Sequence, residues 1–401
     1  MSMLEKRQKY NLINFGFNPW SNYWKRNQTI VYLLSKSNNI GNVLFLNSEV
    51  WLLDLARDPR FALSSVQRNY WKFVFPRKVS PKIKVYTPFY FPFEFRLKPV
   101  HKFFQQAKYK ILKSFIKSPY ILILNNPQAD KAMVWRVAKT AKFTIFDWSD
   151  DFVEFSKNPL ERKICWETCK LYCEMADLVL TVNQNLRRKA LRFNERTYTL
   201  PNATNFFTFG TVKRETGSLS YVNKLKGKKV GYMGWLNSLR LDLELLEHII
   251  KERPKINFLF IGPKSEKWPL GHLIPKMPNV YILPPIPYPD YPFCVSSLDV
   301  CILPNKLSAH TRGNDPIKIY DYLASGRPIV STKCSGTEKF EKYIYLADNK
   351  YDFLTLLDKA LKENSREKSR VRKAIALEHS WQKRMDILIG IIRETFPKVE
   401  L

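Results

Sequence analysis

Short apolar runs alternate along the first half of the chain with stretches that have helical spacing of apolar residues. Runs of this length bounded by polar turns are typical of buried strands, and an apolar period near 3.6 residues is typical of helices. Strands alternating with helices predict a parallel sheet with helical crossovers. The predicted strands are 10–17, Val43–Leu46, Tyr120–Leu124, Phe143–Phe146 and Leu178–Val182, with a helix over 28–37 after the first.

The alternation pauses over Asn202–Lys228, a polar stretch with several turn-forming residues, and then starts again. The sequence therefore predicts two α/β domains, over 1–204 and 229–401, joined by a linker at 205–228. A basic helical segment over about 351–398 ends the second domain. Its predicted elements are the strands Val230–Met233, Ile256–Ile261, Val280–Leu283, Val300–Leu303 and Ile329–Val330, and the helix Asp242–Glu252.

Composition is ordinary for a globular protein except in charge. The 401 residues are 45% hydrophobic and 25% charged, which argues against disorder, but the formal net charge is +30. Such an excess predicts an anionic partner: a nucleic acid, an acidic membrane surface or a phosphorylated substrate.

More than half of this excess lies in residues 59–142, which hold 18 lysines and arginines against two acids, Glu94 and Asp130. Apolar residues recur there at helical spacing from Val100 to Ile116, with lysines between them. One interpretation is a helix that covers the sheet and turns a lysine face to water. The other is a membrane-facing segment, with basic residues on anionic headgroups and aromatic residues at the interface.

The six cysteines favour reduced thiols over disulfides, because the sequence shows no Cys-x-x-Cys pair and no secretory signal. Cys165, Cys169 and Cys173 share one predicted helix and are expected to fill a core rather than to bind a metal. No apolar stretch reaches the roughly 20 residues needed to cross a bilayer. We therefore expect a cytoplasmic protein, peripheral on the inner face of the membrane.

Residues 315–332, Asp-Pro-Ile-Lys-Ile-Tyr-Asp-Tyr-Leu-Ala-Ser-Gly-Arg-Pro-Ile-Val-Ser-Thr, are the most informative stretch of the chain. Asp315 is placed to cap a helix whose first turn holds Pro316. Lys318 and Asp321, three residues apart, share a face near the positive end of that helix. Gly326 can end the helix. A helix N-terminus with a lysine beside it predicts a diphosphate site.

This stretch resembles the donor-sugar motif of the GT-B glycosyltransferases, Pro-x-Lys-x-x-Glu-Tyr-Leu-Ala-x-Gly-x-Pro-Val-Val, with Asp321 where that family usually has Glu. Residues 230–236 and 241–246 resemble the family's opening strand, turn and helix. Residues 200–203 are similar to its Pro-Asn-Gly element. Near the start, Pro19-Trp20 and Lys25-Arg26 resemble bacterial enzymes that build surface polysaccharides.

The resemblance implies two Rossmann-like domains facing a cleft, in which the second domain binds a nucleotide-diphosphate sugar and the first domain the acceptor. It implies no metal and no other cofactor, since basic side chains and a helix dipole can stabilise the leaving diphosphate. The implied donor-binding residues are Lys318, Asp321, Ile317, Gly234, Trp235, Arg240 and Arg312.

Three aspartates lie among aromatic residues at 146–155, directly after the strand Phe143–Phe146. Ligands of open α/β sheets bind beyond the carboxyl ends of strands. We expect Asp151 or Asp150 to be the general base that activates the acceptor, or else to cap the next helix. A base would indicate inversion of configuration, whereas many proteins with this motif retain it.

The expected function is that of a hexosyl-type glycosyltransferase, metal-independent, acting on a lipid-linked glycan in surface polysaccharide synthesis. Two alternatives remain open at this point. One is a protein that binds nucleic acid or another polyanion through its basic, aromatic segment. The other is a GT-B protein that has lost activity and only binds a glycan.

Overall fold

The computed structural model of the protein describes residues 9–51, 72–90, 98–115, 118–155, 158–211, 217–265, 268, 274–308, 311, 314–334, 336–397 and 399. The chain forms two compact units, Met1–Leu200 with Met385–Leu401, and Pro201–Arg384. The sequence predicts a division at 205–228 instead. Residues 201–204 belong with the second unit because Asn202 donates its backbone N–H to Asp315 (2.7 Å) and Thr204 forms a bridge with Ser380.

The first unit is built on an eight-stranded sheet in the order β10-β9-β8-β7-β1-β2-β5-β4, in which only β4 runs antiparallel to its neighbour. A separate parallel pair joins β3 and β6. The strands are β1 Tyr10–Phe15, β2 Ile40–Leu46, β3 Val50–Trp51, β4 Arg77–Lys78, β5 Ile83–Tyr86, β6 Phe89–Tyr90, β7 Tyr120–Leu124, β8 Phe143–Trp148, β9 Leu178–Thr181 and β10 Thr197–Thr199.

Helices pack on this sheet and bury an apolar core with its central strands. From the C-terminal segment of this unit, Phe396 packs edge-on against Phe143 of β8, with ring centroids 4.5 Å apart. The helices are α1 Arg26–Leu34, α2 Lys98–Phe115, α3 Lys131–Ala138, α4 Phe152–Phe155, α5 Pro159–Met175 and α6 Gln184–Ala190.

The second unit holds a six-stranded, wholly parallel sheet in the order β13-β12-β11-β14-β15-β16. Counted from its first strand, this order is 3-2-1-4-5-6, that of the Rossmann fold. Its strands are β11 Lys229–Met233, β12 Asn257–Ile261, β13 Val280–Leu283, β14 Val300–Leu303, β15 Ile329–Thr332 and β16 Tyr345–Ala347.

Helices also follow the strands of the second sheet, and their apolar faces enclose a core with it. They are α7 Thr208–Thr211, α8 Gly217–Lys224, α9 Leu243–Glu252, α10 Tyr291–Ser296, α11 Ile317–Ser325, α12 Lys350–Lys362 and α13 Arg366–Glu378, with 3₁₀ turns at Ile274–Lys276 and Glu338–Phe340. The last helix, α14 Trp381–Thr395, begins in the second unit, and its residues from Met385 onwards belong to the first unit. The expected α/β fold with two Rossmann-like domains is confirmed. Among the helices of the described stretches, none is long and apolar enough to cross a membrane.

The helix predicted over 28–37 begins two residues earlier, at Arg26, and ends at Leu34. Arg26 is drawn into the buried part of the unit by its ion pair with Asp147, 2.7 Å between Nη2 and Oδ1. The helix ends where the Ser35 hydroxyl donates to the Tyr32 carbonyl (2.6 Å), which competes with a further helical turn.

The basic helix α2 is turned about its axis relative to the sequence prediction. Lys108, expected in water, is buried and lies 3.9 Å from Oε1 of Glu49. Leu112 packs in the core, but Phe103 and Ile111, which the interpretation as a sheet-covering helix would bury, are 65% and 39% exposed. The reason is the Glu49 carboxylate, which attracts an ammonium group to the inner face. Parts of the segment 59–142, namely 59–71, 91–97 and 116–117, lie outside the described residues.

Candidate functional site

The end of β11 and the start of α11 meet in the second unit, at a backbone position that only glycine fits. A Cβ built on Gly234 would collide with the Lys318 side chain, whose Nζ is 2.6 Å from that position. Gly234 also has φ +151°, a conformation that residues with a side chain rarely adopt. The half-buried Lys318 side chain therefore lies directly over the backbone that follows β11. This is the switch point between β11 and β14, where open α/β sheets bind ligands.

A second glycine packs behind the first. Gly262 follows β12 with φ +148°, and a Cβ there would collide with the Gly234 carbonyl. Tyr232, buried in β11, donates a hydrogen bond to the Trp235 carbonyl (3.3 Å) and lies under Lys318 Nζ, 5.3 Å from the ring centroid. The Trp235 side chain is 43% exposed. The site thus combines glycine backbone at Gly234, the ammonium group of Lys318 and the accessible indole of Trp235.

Helix α11 begins at Ile317 and ends at Ser325, and Gly326 follows as its C-cap with φ +74°. The predicted Asp315 cap is wrong, because Pro316 occupies the cap position and makes no side-chain hydrogen bond to the helix. The Asp315 carboxylate is instead buried, where it accepts hydrogen bonds from the Asn202 N–H (2.7 Å), Tyr320 hydroxyl (2.8 Å) and Lys339 Nζ (2.8 Å). The first N–H groups of α11 are therefore not satisfied by this carboxylate.

Asp321, one turn after Lys318, is buried and accepts a hydrogen bond from the Thr204 hydroxyl (2.6 Å). Burial raises the pKa of the Asp321 carboxyl to about 7, against the opposing effects of the Thr204 hydrogen bond and the Lys318 charge. Its shorter side chain, relative to the Glu usual in the resembling family, thus reaches a threonine of the same unit.

Arg240 also lies beside the carboxyl ends of these strands. Its carbonyl accepts from the Lys306 N–H (2.7 Å), in the segment that follows β14. Burial raises the pKa of Tyr232 to about 12, and the positive charge of Arg240 opposes that rise. The structure thus brings together Gly234, Trp235, Arg240, Lys318, Ile317 and Asp321. The remaining expected donor residue, Arg312, lies outside the described residues.

In the first unit, the predicted acidic loop follows β8, but its first aspartate is not available for chemistry. Asp147 is buried, and Nε of Arg26 lies 3.1 and 3.0 Å from its two carboxylate oxygens. Asn125, after β7, donates to Oδ2 of Asp147 (2.9 Å) and accepts in turn from Asn14 of β1 (2.5 Å). This buried polar chain links β1, β7 and β8 at the carboxyl ends of the strands.

The two candidate bases differ in exposure. Asp151 has a side chain only 2% exposed, and its Oδ2 lies 2.7 Å from Lys189 Nζ. Asp150 is half-buried; its Oδ1 accepts from the Asp151 N–H (3.0 Å) and its carbonyl from the Phe152 N–H (2.9 Å), at the start of α4. Asp150 therefore helps to shape the turn, and Asp151 ties that turn to α6.

Sequence reasoning missed Lys189, Gly262, Thr204 and Lys339. Only Gly262 had a usable signal, since it follows β12 as Gly234 follows β11. Cys169 and Cys173 are fully buried in the core of the first unit, and burial raises the pKa of Cys173 to about 12. Among the residues described, no three His, Cys, Asp or Glu side chains form a group that could hold a metal ion.

Comparison with known proteins agrees with this architecture. Residues 240–390 match the family described as Glycosyl transferase-like. The chain is similar to TuaH of Bacillus subtilis (strain 168), named as a teichuronic acid biosynthesis glycosyltransferase, with 24% identity over 206 residues, 50% of this chain and 51% of TuaH. The matched part of the chain thus spans about half the length of that curated relative.

Solved structures match over nearly the whole chain. Sucrose-phosphate synthase of Thermosynechococcus elongatus superposes with a TM-score of 0.70 at 15% identity, covering 98% of this chain and 100% of that one. HepE of Anabaena, solved in complex with UDP, gives 0.65 at 11% identity, covering 96% and 100%. The chain therefore has the fold of the GT-B glycosyltransferases. Its residues 240–390 carry the sequence pattern of a glycosyltransferase family, as the motif at 315–332 predicts.

Proposed function

We propose that this chain is a glycosyltransferase that moves a sugar from a nucleoside-diphosphate sugar to an acceptor. The observation that carries the proposal is the contact of Lys318 with the backbone at Gly234, at the N-terminus of α11. An ammonium group and a helix dipole at one point suit a diphosphate that gains charge as the sugar leaves. Support for a nucleotide ligand comes from HepE, which shares the fold and was solved with UDP.

In this proposal Lys318 and Arg240 contact the diphosphate, and the backbone at Gly234 lets it approach closely. Trp235 and Ile317 border the nucleotide. Since the Asp321 carboxyl is engaged by Thr204, it acts by holding α11 in place and can meet the ribose only through its second oxygen. Arg312 remains a proposed phosphate ligand on the ground of the sequence alone.

The acceptor side belongs to the first unit. We assign the general base to Asp150, because a base must reach the acceptor hydroxyl and Asp151 is almost fully buried in its pair with Lys189. Lys189 and Asp151 then hold the loop that presents Asp150. This assignment predicts inversion of configuration.

The proposal also specifies the substrates and the location. The donor carries a hexosyl group, the acceptor is a lipid-linked glycan, and the protein acts on the inner face of the cell membrane. The likeness to TuaH supports a role in surface polysaccharide synthesis. Charge supplied by Lys318 and Arg240 makes a metal unnecessary for the leaving group. Binding of nucleic acid is the competing function, and the net charge of +30 is the observation that favours it.

Thermal unfolding of the purified protein with UDP, GDP, ADP or CMP tests the proposal. We expect one nucleoside diphosphate to raise the unfolding temperature of the wild type and to leave that of Lys318→Ala unchanged. Lys255→Ala, a substitution of an exposed lysine elsewhere in the same unit, serves as the matched control and should respond like the wild type. A response to RNA or DNA alone would replace the proposed donor site by polyanion binding.

A further inference from the structure

Helix α2 carries a surface that the proposed catalytic residues do not use. Its inner side is fixed to the first unit by buried Leu112, by the Lys108–Glu49 pair and by a hydrogen bond from Gln105 to Asp130 (2.8 Å). The opposite side of the helix is consequently fixed in its outward orientation.

Apolar and basic side chains share this outward side. Phe103 and Lys110, seven residues apart, lie one above the other on the helix. Phe103 is 65% exposed and Ile111 is also exposed, next to the exposed Lys102, Lys110 and Lys113. We call these five residues the α2 face.

The charge of the helix has a single sign. Lys98–Phe115 contains five lysines and no acidic residue. Exposing the apolar side chains of a phenylalanine and an isoleucine to water is unfavourable. At a bilayer surface the same side chains can enter the apolar layer just below the anionic headgroups, while the neighbouring ammonium groups contact those headgroups. The aliphatic Ile111 favours lipid over nucleic acid, because bases are held by stacking on aromatic rings.

We infer that the α2 face binds anionic lipid bilayers, with Lys102, Lys110 and Lys113 on the headgroups and with Phe103 and Ile111 entering the interface. Its purpose rests on the proposed function, since a bilayer would carry the lipid-linked acceptor. Binding itself needs neither donor nor acceptor.

Sedimentation with vesicles tests this inference on the full-length protein. The probes are vesicles of phosphatidylcholine alone and of phosphatidylcholine with phosphatidylglycerol. We expect the wild type to bind the anionic vesicles and not the neutral ones. Replacing Lys102, Lys110 and Lys113 by Gln should lower the partition coefficient about a hundredfold, because each basic residue near such a surface contributes roughly a factor of five.

The double variant Phe103→Ser, Ile111→Ser keeps every charge and should lose the part of the binding that resists added salt. A matched control replaces Lys224, Lys255 and Lys342, exposed lysines of the second unit, by Gln. It removes the same charge and should bind as the wild type does.

Equal losses in the α2 and control triple variants would overturn the inference, since net charge alone would then explain the binding. Failure of the wild type to bind anionic vesicles would overturn it too, as would a preference for RNA over vesicles. Nucleotide-induced stabilisation, measured on the same variants, reports on the donor site separately. Vesicle binding without any nucleotide response would contradict the proposed function and leave the α2 face intact.

Discussion

Lys189 Nζ lies 2.7 Å from Oδ2 of Asp151, a carboxylate whose side chain is 2% exposed while that of the lysine is 31% exposed. The two residues are 38 positions apart in the chain, so their pair connects the turn after β8 to helix α6. The neighbouring Asp150 is thereby held at the more exposed position of the turn.

This relationship gives the two aspartates different roles: Asp151 anchors the turn, and Asp150 is the proposed general base. Asp151→Asn should lower the free energy of unfolding by about 1–3 kcal/mol, because it leaves a partly buried ammonium without its counter-ion. Asp150→Asn should instead lower kcat about 10²–10⁴-fold, the usual contribution of a general base, with an unfolding temperature close to that of the wild type. Transfer would be assayed with the sugar nucleotide whose diphosphate stabilises the protein.

Lys189→Met provides the control for the anchoring role. If Asp151 acts only through its lysine, the double variant should be no less stable than either single variant, which a double-mutant cycle measures. A loss of rate in Asp151→Asn at unchanged stability would reverse the assignment and make Asp151 the base.

Gly234→Ala tests the close approach at the switch point. The added methyl group would displace the Lys318 side chain and strain the backbone, so we expect unfolding to become easier by about 1–3 kcal/mol and nucleotide stabilisation to be lost. Gly390→Ala is the matched control. Nothing lies within 4 Å of a Cβ at that helical position, and the substitution should stabilise the protein by about 0.5–1 kcal/mol. Unimpaired nucleotide binding by Gly234→Ala would contradict the proposed site.

The alternation of strands and helices predicted both parallel sheets, because such elements have few ways to pack. Gly326 correctly predicted the end of α11, since helix ends are governed by local backbone conformation. The role of Asp315 was not predictable, because its partner Asn202 lies 113 residues away. The rotation of α2 could not be predicted for the same reason. It depends on Glu49, which lies outside the helix and does not affect the spacing of its apolar residues.

Asp321 should give the protein a characteristic dependence on pH. Its pKa is raised to about 7 in the folded state, from 3.8. The neutral carboxyl therefore stabilises the fold below pH 3.8, and this contribution is lost as the pH rises towards and through 7. The Asp321→Asn variant has no carboxyl group at this position, so its stability does not fall with pH for this reason. The difference in free energy of unfolding between variant and wild type should increase from pH 4 to pH 8 by a few kcal/mol.

Denaturant titration at several pH values measures this difference, because other groups titrate equally in both proteins. The Thr204→Val variant checks the cause. Without its hydroxyl donor the pKa of Asp321 should rise further, which moves the transition to higher pH. A difference that stays constant between pH 4 and pH 8 would show that Asp321 has an ordinary pKa.

The buried pair of Arg26 and Asp147 should be costly to break. Asp147→Ala leaves a guanidinium in the interior of the first unit, and we expect a loss of about 3–5 kcal/mol. Glu247→Ala, which breaks the exposed pair with Lys251 on α9, should cost only about 0.2–0.5 kcal/mol. Equilibrium unfolding in urea compares the two. Similar small losses in both would mean that water reaches Arg26.

The division of the first unit between the two ends of the sequence has a consequence for biosynthesis. Residues 201–384 are contiguous, so the second unit has all its residues once Arg384 has been translated. The first unit starts earlier and finishes later, because Phe396, which packs on Phe143, is translated after all the residues of the second unit. A nascent chain stalled before that point would hold a complete second unit beside a first unit in which the ring of Phe143 on β8 still lacks its packing partner.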